Sequence, residues 1–253
     1  MGDQLEKRVL VIGDSCTDVH IYGTCDRLCP DAPVPVFLPS ITKRNKGMAG
    51  NVHENLLSLN VNSTLVTNPD GVEKVRYVEK STNHMIVRID SGEEQIKRIN
   101  NLHLIPIETY DAIVISDYNK GFLTEEDIQF ISRHHETVFL DTKKLLGDWA
   151  SKVKFIKINQ VEHARTLHTI RDKAWINESL IITRGSKGCY YKGEIFPVEK
   201  VEIKDLSGAG DTFLAGLVAN YLETNEIRTA LKYANDCATK VVQQKGVNTI
   251  NDI

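Results

Sequence analysis

The most informative segment of this 253-residue chain is Asp205-Leu206-Ser207-Gly208-Ala209-Gly210-Asp211-Thr212-Phe213, near its C-terminal end. The segment follows strand-like residues 199–204 and opens an apolar helix that we predict over residues 212–221. Glycines just before a helix let backbone N–H groups converge, and the helix terminus adds a partial positive charge. We therefore expect this turn to cradle an anion. It is not a P-loop, which needs a Gly-Lys-Ser/Thr ending, nor a dinucleotide fingerprint, whose third glycine is replaced by Phe213.

Asp211 is the candidate general base of the segment. It sits where the first helical N–H groups point, so we expect the helix dipole to keep it ionised and weakly basic. A weak base suffices for phosphoryl transfer, because the loose transition state needs mainly positioning and charge stabilisation. Capping of the helix is the alternative role of such an aspartate, but Asp205 and the small residues of the turn favour chemistry.

Upstream of this segment, short apolar runs alternate with helix-like stretches. We predict strands at residues 8–14, 112–116, 137–141, 155–158 and 180–183, and a capped helix at 124–134. Such alternation is typical of a parallel sheet covered by helices on both faces. Ligands of these sheets bind beyond the carboxyl ends of the strands. The polar residues that end the predicted strands are therefore candidate site residues: Asp14, Asp117, Asp141, Asn159 and Arg184.

Two regions interrupt the alternation, at about residues 15–45 and 72–100. The first contains the extended segment Asp31-Ala32-Pro33-Val34-Pro35-Val36, and the second ends in Met85-Ile86-Val87-Arg88-Ile89-Asp90, which alternates apolar and polar residues. We predict that both contribute strands to a small separate sheet that acts as a lid. The whole chain, residues 1–253, is expected to form a single domain with this lid.

Composition excludes several classes of protein. With 31 Lys+Arg against 34 Asp+Glu the net charge is −3. The chain therefore lacks the excess of positive charge that is typical of proteins binding nucleic acid or an anionic membrane. We found neither a membrane-length apolar run nor a secretory signal, and we expect a cytoplasmic protein. Five cysteines, an odd number, favour free thiols over a disulfide framework.

The glycine-rich segment resembles the hallmark of ribokinase-like (PfkB) carbohydrate kinases. Other motifs follow in the order of that family, and they are most similar to its D-glycero-D-manno-heptose 7-phosphate kinase branch: Gly13-Asp14-Ser15-Cys16-Thr17-Asp18, Gly47-Met48-Ala49-Gly50-Asn51-Val52, Ser116-Asp117-Tyr118-Asn119-Lys120-Gly121, and Arg88 with Asp90. The resemblance implies a three-layer α/β/α sandwich with a mostly parallel central sheet and a small β lid. It also implies ATP and Mg²⁺ as cofactors, and a homodimer formed through the lid strands.

The resemblance assigns roles at the phosphate-transfer site. Asp211 would activate the acceptor hydroxyl, and the anion hole would be formed by Gly208, Ala209 and Gly210. Asn159 and Glu162 would organise Mg²⁺, directly or through water. The ATP-binding residues implied by the family are Asn159, Thr183, Arg184, Gly185, Asp205, Asn235 and Gly246.

A second set of residues would bind the sugar. Asp14 and Asp18 would accept hydrogen bonds from its hydroxyls, while Gly47, Gly50 and Asn51 would shape the pocket. A phosphate on the sugar also needs cations, and the candidates are Lys46, Arg88 and Lys120.

The chain departs from the family at the pocket and in length. Met48 replaces the second glycine of a Gly-Gly motif, and Gly50 stands where the family often has alanine. Only residues 60–73 join the following helix to the lid, where the family carries a strand–helix–strand excursion. The leading hypothesis is phosphorylation of heptose 7-phosphate to the 1,7-bisphosphate, a precursor of surface polysaccharide. The alternatives are a kinase for another sugar or nucleoside, and a non-catalytic binding protein.

Overall fold

A computed structural model describes residues 7–244, 246 and 248–250. The strands are β1 Arg8–Gly13, β2 Ser15–Leu28, β3 Pro35–Met48, β4 Asn62–Thr67, β5 Glu73–Glu79, β6 Met85–Ser91, β7 Ala112–Asp117, β8 Val138–Thr142, β9 Phe155–Asn159, β10 Leu180–Thr183, β11 Cys189–Tyr191 and β12 Glu194–Phe196. The α-helices are α1 Ala49–Ser58, α2 Glu125–His134, α3 Gln160–Ile170, α4 Ile176–Ser179, α5 Ala209–Thr224 and α6 Ile227–Val241. Short 3₁₀ turns cover Glu93–Gln95, Leu102–Leu104, Ile107–Thr109, Asp148–Ala150 and Gly185–Lys187.

The main sheet is mostly parallel, as predicted. Its strand order is β12-β11-β10-β9-β8-β7-β1-β4, and only β11 and β12 run antiparallel to their neighbours. All five strands predicted from apolar runs belong to this sheet. Their carboxyl ends meet along one edge, which is where the candidate polar residues were expected.

Helices cover both faces of this sheet, because its strands alternate between two apolar cores. On β1, Val9 and Val11 pack into the core beneath α1, α5 and α6, whereas Leu10 and Ile12 pack into the core beneath α2 and α3. All four side chains are fully buried. Burial on both faces requires the near-continuous apolar runs that identified these strands in the sequence.

A second sheet of four strands, in the order β3-β2-β5-β6, is built from the two regions where we predicted the lid. β2 pairs antiparallel with β3 and parallel with β5, and β6 closes the other side. Asn83 in the β5–β6 turn donates a hydrogen bond to the carbonyl of Lys204, so this lid sheet contacts the chain just before the glycine-rich turn.

Two local expectations differ from the structure, and a short connection adds a strand. Residues 199–204 form no strand: their Ile203 is exposed, and Lys204 N–H donates instead to the carbonyl of Val242. Helix α5 begins at Ala209, three residues before the predicted start, because Gly208 (φ 80°) turns the chain directly into the helix. The short 60–73 connection contributes β4, which pairs in parallel with β1 at the edge of the main sheet.

Candidate active site

Asp211 lies in the first turn of α5, where two side chains from distant parts of the chain fix its carboxylate. Asn51 Nδ2 donates to Oδ2 at 2.9 Å, and the Tyr118 hydroxyl donates to Oδ1 at 2.9 Å. Asn51 is held in turn by Asn55, whose Nδ2 donates to its backbone carbonyl at 2.8 Å. Each oxygen of Asp211 thus has one fixed donor, and the carboxylate is held in one orientation.

The pKa of Asp211 differs from the expectation based on the helix dipole. Burial raises its pKa to about 6, although the hydrogen bond from Asn51, the ammonium of Lys157 and the hydrogen bond from Tyr118 oppose the shift. The desolvation cost of the charged form outweighs the helix terminus here. Asp211 is therefore a better proton acceptor than a dipole-stabilised aspartate, and it is still mostly ionised at neutral pH.

The glycine-rich turn wraps over a buried lysine. A side chain at Gly210 would place its Cβ 3.0 Å from Lys157 Nζ, so the absence of a side chain there permits this approach. Lys157 is 4% exposed and donates to Asp141 Oδ2 at 2.6 Å. An ammonium, paired with Asp141, therefore lies against Gly210 at the start of α5 and adds to the partial positive charge of the helix terminus.

Asp141 and Glu162 surround a second lysine, Lys143. Its Nζ hydrogen-bonds to Glu162 and lies 3.8 Å from Asp141 Oδ1 and 5.1 Å from the centre of the Tyr118 ring. Burial opposes ionisation of Asp141, but the two neighbouring ammonium groups hold its pKa below the usual value. The negative charge of Asp141 in turn contributes to the raised pKa of Asp211.

Asp211 borders a cavity of about 330 Å³ between the glycine-rich turn and the lid sheet. We call this space the Asp211 cavity. Its lining residues are Asp18, Met48, Lys74, Arg76, Arg88, Glu93, Tyr118, Lys120, Lys143, Ser207, Gly208 and Asp211. The cavity therefore brings together residues from β2, β3, β5, β6, the loop after β7 and the start of α5.

Several predicted sugar-binding residues lie at this cavity. Asp18 is buried and paired with Arg76, and Gly47 must lack a side chain because its Cβ would lie 2.3 Å from Asp18 Oδ2. Arg88 lines the cavity and donates to Asp90 at 2.6 and 2.7 Å, while Lys120 pairs with Glu93.

Three other predicted sugar contacts lie elsewhere. Asp14 is fully buried and accepts hydrogen bonds from the backbone N–H groups of Tyr118, Lys120 and Phe122, so it shapes the loop after β7. Lys46 lines a neighbouring cavity, and a Cβ at Gly50 would lie 3.1 Å from the Lys46 side chain. The predicted contacts of Lys46 and Gly50 with the sugar stay predictions, whereas Asp14 is fully buried and its oxygens are occupied by backbone N–H groups.

Comparison with known proteins identifies the family. The model for the pfkB family carbohydrate kinases matches residues 65–253. The chain belongs to this family. It is an ATP-dependent carbohydrate kinase, which transfers a phosphoryl group to a hydroxyl group.

Similar proteins include the bifunctional protein HldE of Helicobacter pylori strain J99, which is 31% identical over 297 positions. The HldE protein of a Nitratiruptor species is 28% identical over 293 positions. The alignments cover 95% and 97% of this chain but 64% and 63% of the relatives, so the kinase chain spans less than two thirds of these proteins.

Solved structures agree on the fold. The nucleoside kinase of Methanocaldococcus jannaschii superimposes with a TM-score of 0.69 at 15% identity, covering 99% of this chain and 97% of that one. A putative ribokinase from Agrobacterium tumefaciens gives a TM-score of 0.72, also at 15% identity, covering 97% and 95%. The predicted ribokinase-like fold is confirmed.

The carboxylates beside Lys143 fit a magnesium ion better than the predicted pair does. Asn159 and Glu162 form a capping box at the start of α3: Asn159 Oδ1 accepts from Glu162 N–H, and Glu162 Oε2 accepts from Asn159 N–H. Asp141 Oδ1 is buried and has no hydrogen-bond partner within the described part of the chain. Mg²⁺ typically binds one or two protein carboxylates together with phosphates and water. Asp141 therefore has an oxygen to offer, whereas both oxygens of Glu162 already accept, from Asn159 N–H and from Lys143, so Glu162 would join Asp141 as a ligand only by exchanging Lys143 for the metal. The residues described include no metal-type cluster of three His, Cys, Asp or Glu side chains.

The structure separates the predicted ATP-binding residues into two groups. Thr183 is the last residue of β10, in register with Asn159 at the carboxyl edge of the sheet, and Arg184 and Gly185 follow it. Asn235 is buried and donates to the carbonyl of Phe196, so it ties α6 to β12; its predicted contact with the nucleotide stays a prediction.

Asp205 braces the glycine-rich turn from outside. Its Oδ1 accepts from Ser207 N–H at 2.9 Å, and its Oδ2 accepts from Gly246 N–H at 3.0 Å. Both oxygens of this predicted nucleotide-binding residue hold backbone groups, so Asp205 and Gly246 together fix the turn against the C-terminal segment.

Sequence reasoning missed much of the positive charge of the kinase site. Lys74 and Arg76 on β5 and Lys143 and Lys157 near the sheet edge received no role, although all four contact site carboxylates or aromatic rings. The alternation of residues 73–79 was the available signal for β5, because it places Lys74 and Arg76 on one face.

Proposed function

We propose that this kinase phosphorylates a sugar phosphate, and that its acceptor is a heptose 7-phosphate converted to the 1,7-bisphosphate. The similarity to HldE proteins and the heptose-kinase-like motifs support the choice of sugar. The charge of the Asp211 cavity supports the phosphate. Five cationic side chains and three carboxylates line the cavity, and two of the cations, Arg88 and Lys143, also pair with Asp90 and Glu162 outside the lining. The number of cationic side chains on the wall suits an anionic acceptor.

The cations near the glycine-rich turn and those on the lid sheet form two groups, which we assign to the phosphate that is transferred from ATP and to the acceptor. Lys74, Arg76 and Arg88 belong to the lid sheet, across the cavity from the glycine-rich turn. Lys157 lies beneath the turn, where the transferred phosphate would bind. Lys74, Arg76 and Arg88 line the Asp211 cavity, whereas Lys157 does not, so the lid cations are the ones that a phosphate on the acceptor would meet. Arg76 and Arg88 would bind it while paired with Asp18 and Asp90. This arrangement is the observation on which the proposal rests.

Catalysis follows from the same geometry. Asp211 accepts the proton of the attacking hydroxyl, with Asn51 and Tyr118 holding its carboxylate toward the cavity. The N–H groups of the turn and the Lys157 ammonium stabilise charge on the transferred phosphoryl group. Mg²⁺, held by Asp141 and Glu162, would neutralise the charge of the ATP phosphates.

The first test measures ADP release with Mg²⁺-ATP and a panel of acceptors. The panel contains heptose 7-phosphates, fructose 6-phosphate, fructose, ribose and adenosine. We expect the highest kcat/KM with a heptose 7-phosphate. A higher value with fructose 6-phosphate would keep the phosphorylated acceptor and reject the heptose, whereas preference for a neutral sugar or adenosine would reject both.

A variant pair tests the role of the lid cations. Arg88→Met removes a guanidinium from the cavity, and Arg165→Met removes one from the exposed face of α3. We expect Arg88→Met to raise the KM of the sugar phosphate at least tenfold and to leave the KM of ATP unchanged. Equal effects of the two variants would contradict an acceptor-binding role for Arg88.

The lid sheet also supports a homodimer. Its outer strand β6 exposes about half of Met85, Val87 and Ile89, on the opposite face from Arg88. We propose that this apolar surface pairs with the same surface of a second copy.

All five cysteines are free thiols, which supports a cytoplasmic location. No helix in the described residues is long and apolar enough to span a membrane.

A further inference from the structure

Met48 has a backbone conformation that side chains rarely adopt. It ends β3 and caps α1 with φ 60° and ψ −130°, a region populated almost only by glycine. Its side chain is nonetheless 3% exposed and well packed against Cys16, Val72 and Tyr118. A strained residue of this kind persists only when the surroundings enforce it, and such residues cluster at functional sites.

The thioether of Met48 contacts a buried cation. Lys74 is 6% exposed, and its Nζ donates to Met48 Sδ at 3.1 Å. This ammonium also forms a long ion pair with Glu93, 3.9 Å away, but the closer partner of Glu93 is Lys120. The charge of Lys74 helps to lower the pKa of Asp90, and the centre of the Tyr118 ring lies 5.2 Å from the ammonium. A thioether is a weak acceptor, so within the described residues the Lys74 ammonium lacks a strong hydrogen-bond partner.

A buried ammonium with such weak partners favours an anion in the space it faces. Lys74 and Met48 both line the cavity that contains Asp211. A carboxylate in place of the thioether would neutralise Lys74 and remove this preference. The thioether instead holds the ammonium in position while leaving its charge available.

We propose that Met48 is a specificity-determining residue: it narrows the acceptor site beside Asp211 and orients Lys74 toward the anionic group of the acceptor. The inference rests on the proposed phosphorylated acceptor and deepens it. Met48 thereby selects acceptors by charge and by size, and its strained backbone is the cost of placing a side chain at that point of the wall.

Two substitutions separate the side chain from the strain. Met48→Ala removes the thioether and keeps a Cβ in the strained conformation, whereas Met48→Gly removes the thioether and relieves the strain. The quantity to measure is a discrimination ratio: kcat/KM for the preferred sugar phosphate divided by kcat/KM for the same sugar without phosphate. Both variants should lower this ratio at least tenfold. The KM of ATP should stay within twofold of wild type, and Met48→Gly should melt at a higher temperature than Met48→Ala. Leu167→Ala is the matched control, because Leu167 is exposed on α3, outside both the cavity and the proposed dimer surface.

A double-mutant cycle with Lys74→Met tests the route of the effect. If Met48 acts through Lys74, the double variant should discriminate no worse than Lys74→Met alone. Additive losses, or an unchanged ratio in both Met48 variants, would overturn the inference. Wild-type preference for a sugar phosphate other than heptose would reject the proposed acceptor only, since the ratio can be measured with whichever sugar phosphate is preferred. Wild-type preference for a neutral sugar would overturn both.

Discussion

Removal of the Tyr118 hydroxyl should shift the pH dependence of the kinase. This hydroxyl donates to Asp211 Oδ1 at 2.9 Å, and burial beside Asp211 raises the pKa of Tyr118 well above its usual value, so it remains a donor. Tyr118→Phe deletes that donor and leaves Asn51 as the remaining side-chain donor to the carboxylate. The ionised form of Asp211 then loses stabilisation that the protonated form does not need.

The magnitude follows from the strength of one hydrogen bond to a charged group. Such a bond contributes about 1.5–3 kcal/mol, and about 1.4 kcal/mol corresponds to one pH unit, so the acid limb should move up by about 1–2 pH units. Starting from a pKa of about 6 for Asp211, the ionised fraction at pH 7 falls about two- to tenfold. The loss should disappear near pH 9, where Asp211 is ionised in both proteins.

The assay is kcat/KM for the acceptor between pH 5 and pH 9 at saturating ATP. Tyr191→Phe is the matched control, because the buried Tyr191 hydroxyl donates at 3.0 Å to the carbonyl of Glu178, away from Asp211. Its acid limb should coincide with that of wild type. A loss in Tyr118→Phe that is equal at every pH would refute the reasoning, since it would reflect altered packing and not a raised pKa.

Four further predictions follow, two for the proposed base, one for the turn and one for the lid. Asp211→Asn should lower kcat by about 10²–10⁴ with little change in ATP affinity; retained turnover would show that Asp211 is not the base. Because the pKa of Asp211 is raised in the folded protein, the wild type loses up to about 3 kcal/mol of folding stability as pH rises through about 6. Asp211→Asn lacks this ionisable group, so urea unfolding above pH 6 should show it to be more stable than wild type. Gly210→Ala brings a Cβ to 3.0 Å from Lys157 Nζ. Steady-state kinetics should show a lower kcat with little change in the KM of the acceptor. Ile89→Lys should convert a dimer to a monomer in sedimentation, and a monomeric wild type at micromolar concentration would contradict the lid-surface dimer.

Much of the main sheet follows from local sequence. Strands buried on both faces need unbroken apolar runs, and those runs located β1, β7, β8, β9 and β10. The capping box of α2 could be predicted for a similar reason, because Thr124 and Asp127 are only three residues apart. The glycine-rich turn and Asp211 were also found from sequence, since the chemistry of a turn depends on adjacent residues.

The tertiary structure alone decided which polar side chains face the Asp211 cavity. Asp14 and Asp18 lie four residues apart on the first loop and strand, yet one holds backbone N–H groups and the other pairs with Arg76 at the cavity. The pKa of Asp211 likewise depends on burial beneath Tyr118 and Asn51, which are far away in sequence. The sequence does not tell whether the oxygens of an aspartate at a strand end accept hydrogen bonds from backbone N–H groups or contact a ligand. The reason is that long-range packing decides which partners lie nearby. The sequence of this kinase therefore determined the fold and the place of the proposed base, whereas only the folded chain determined the charge and the shape of the cavity around it.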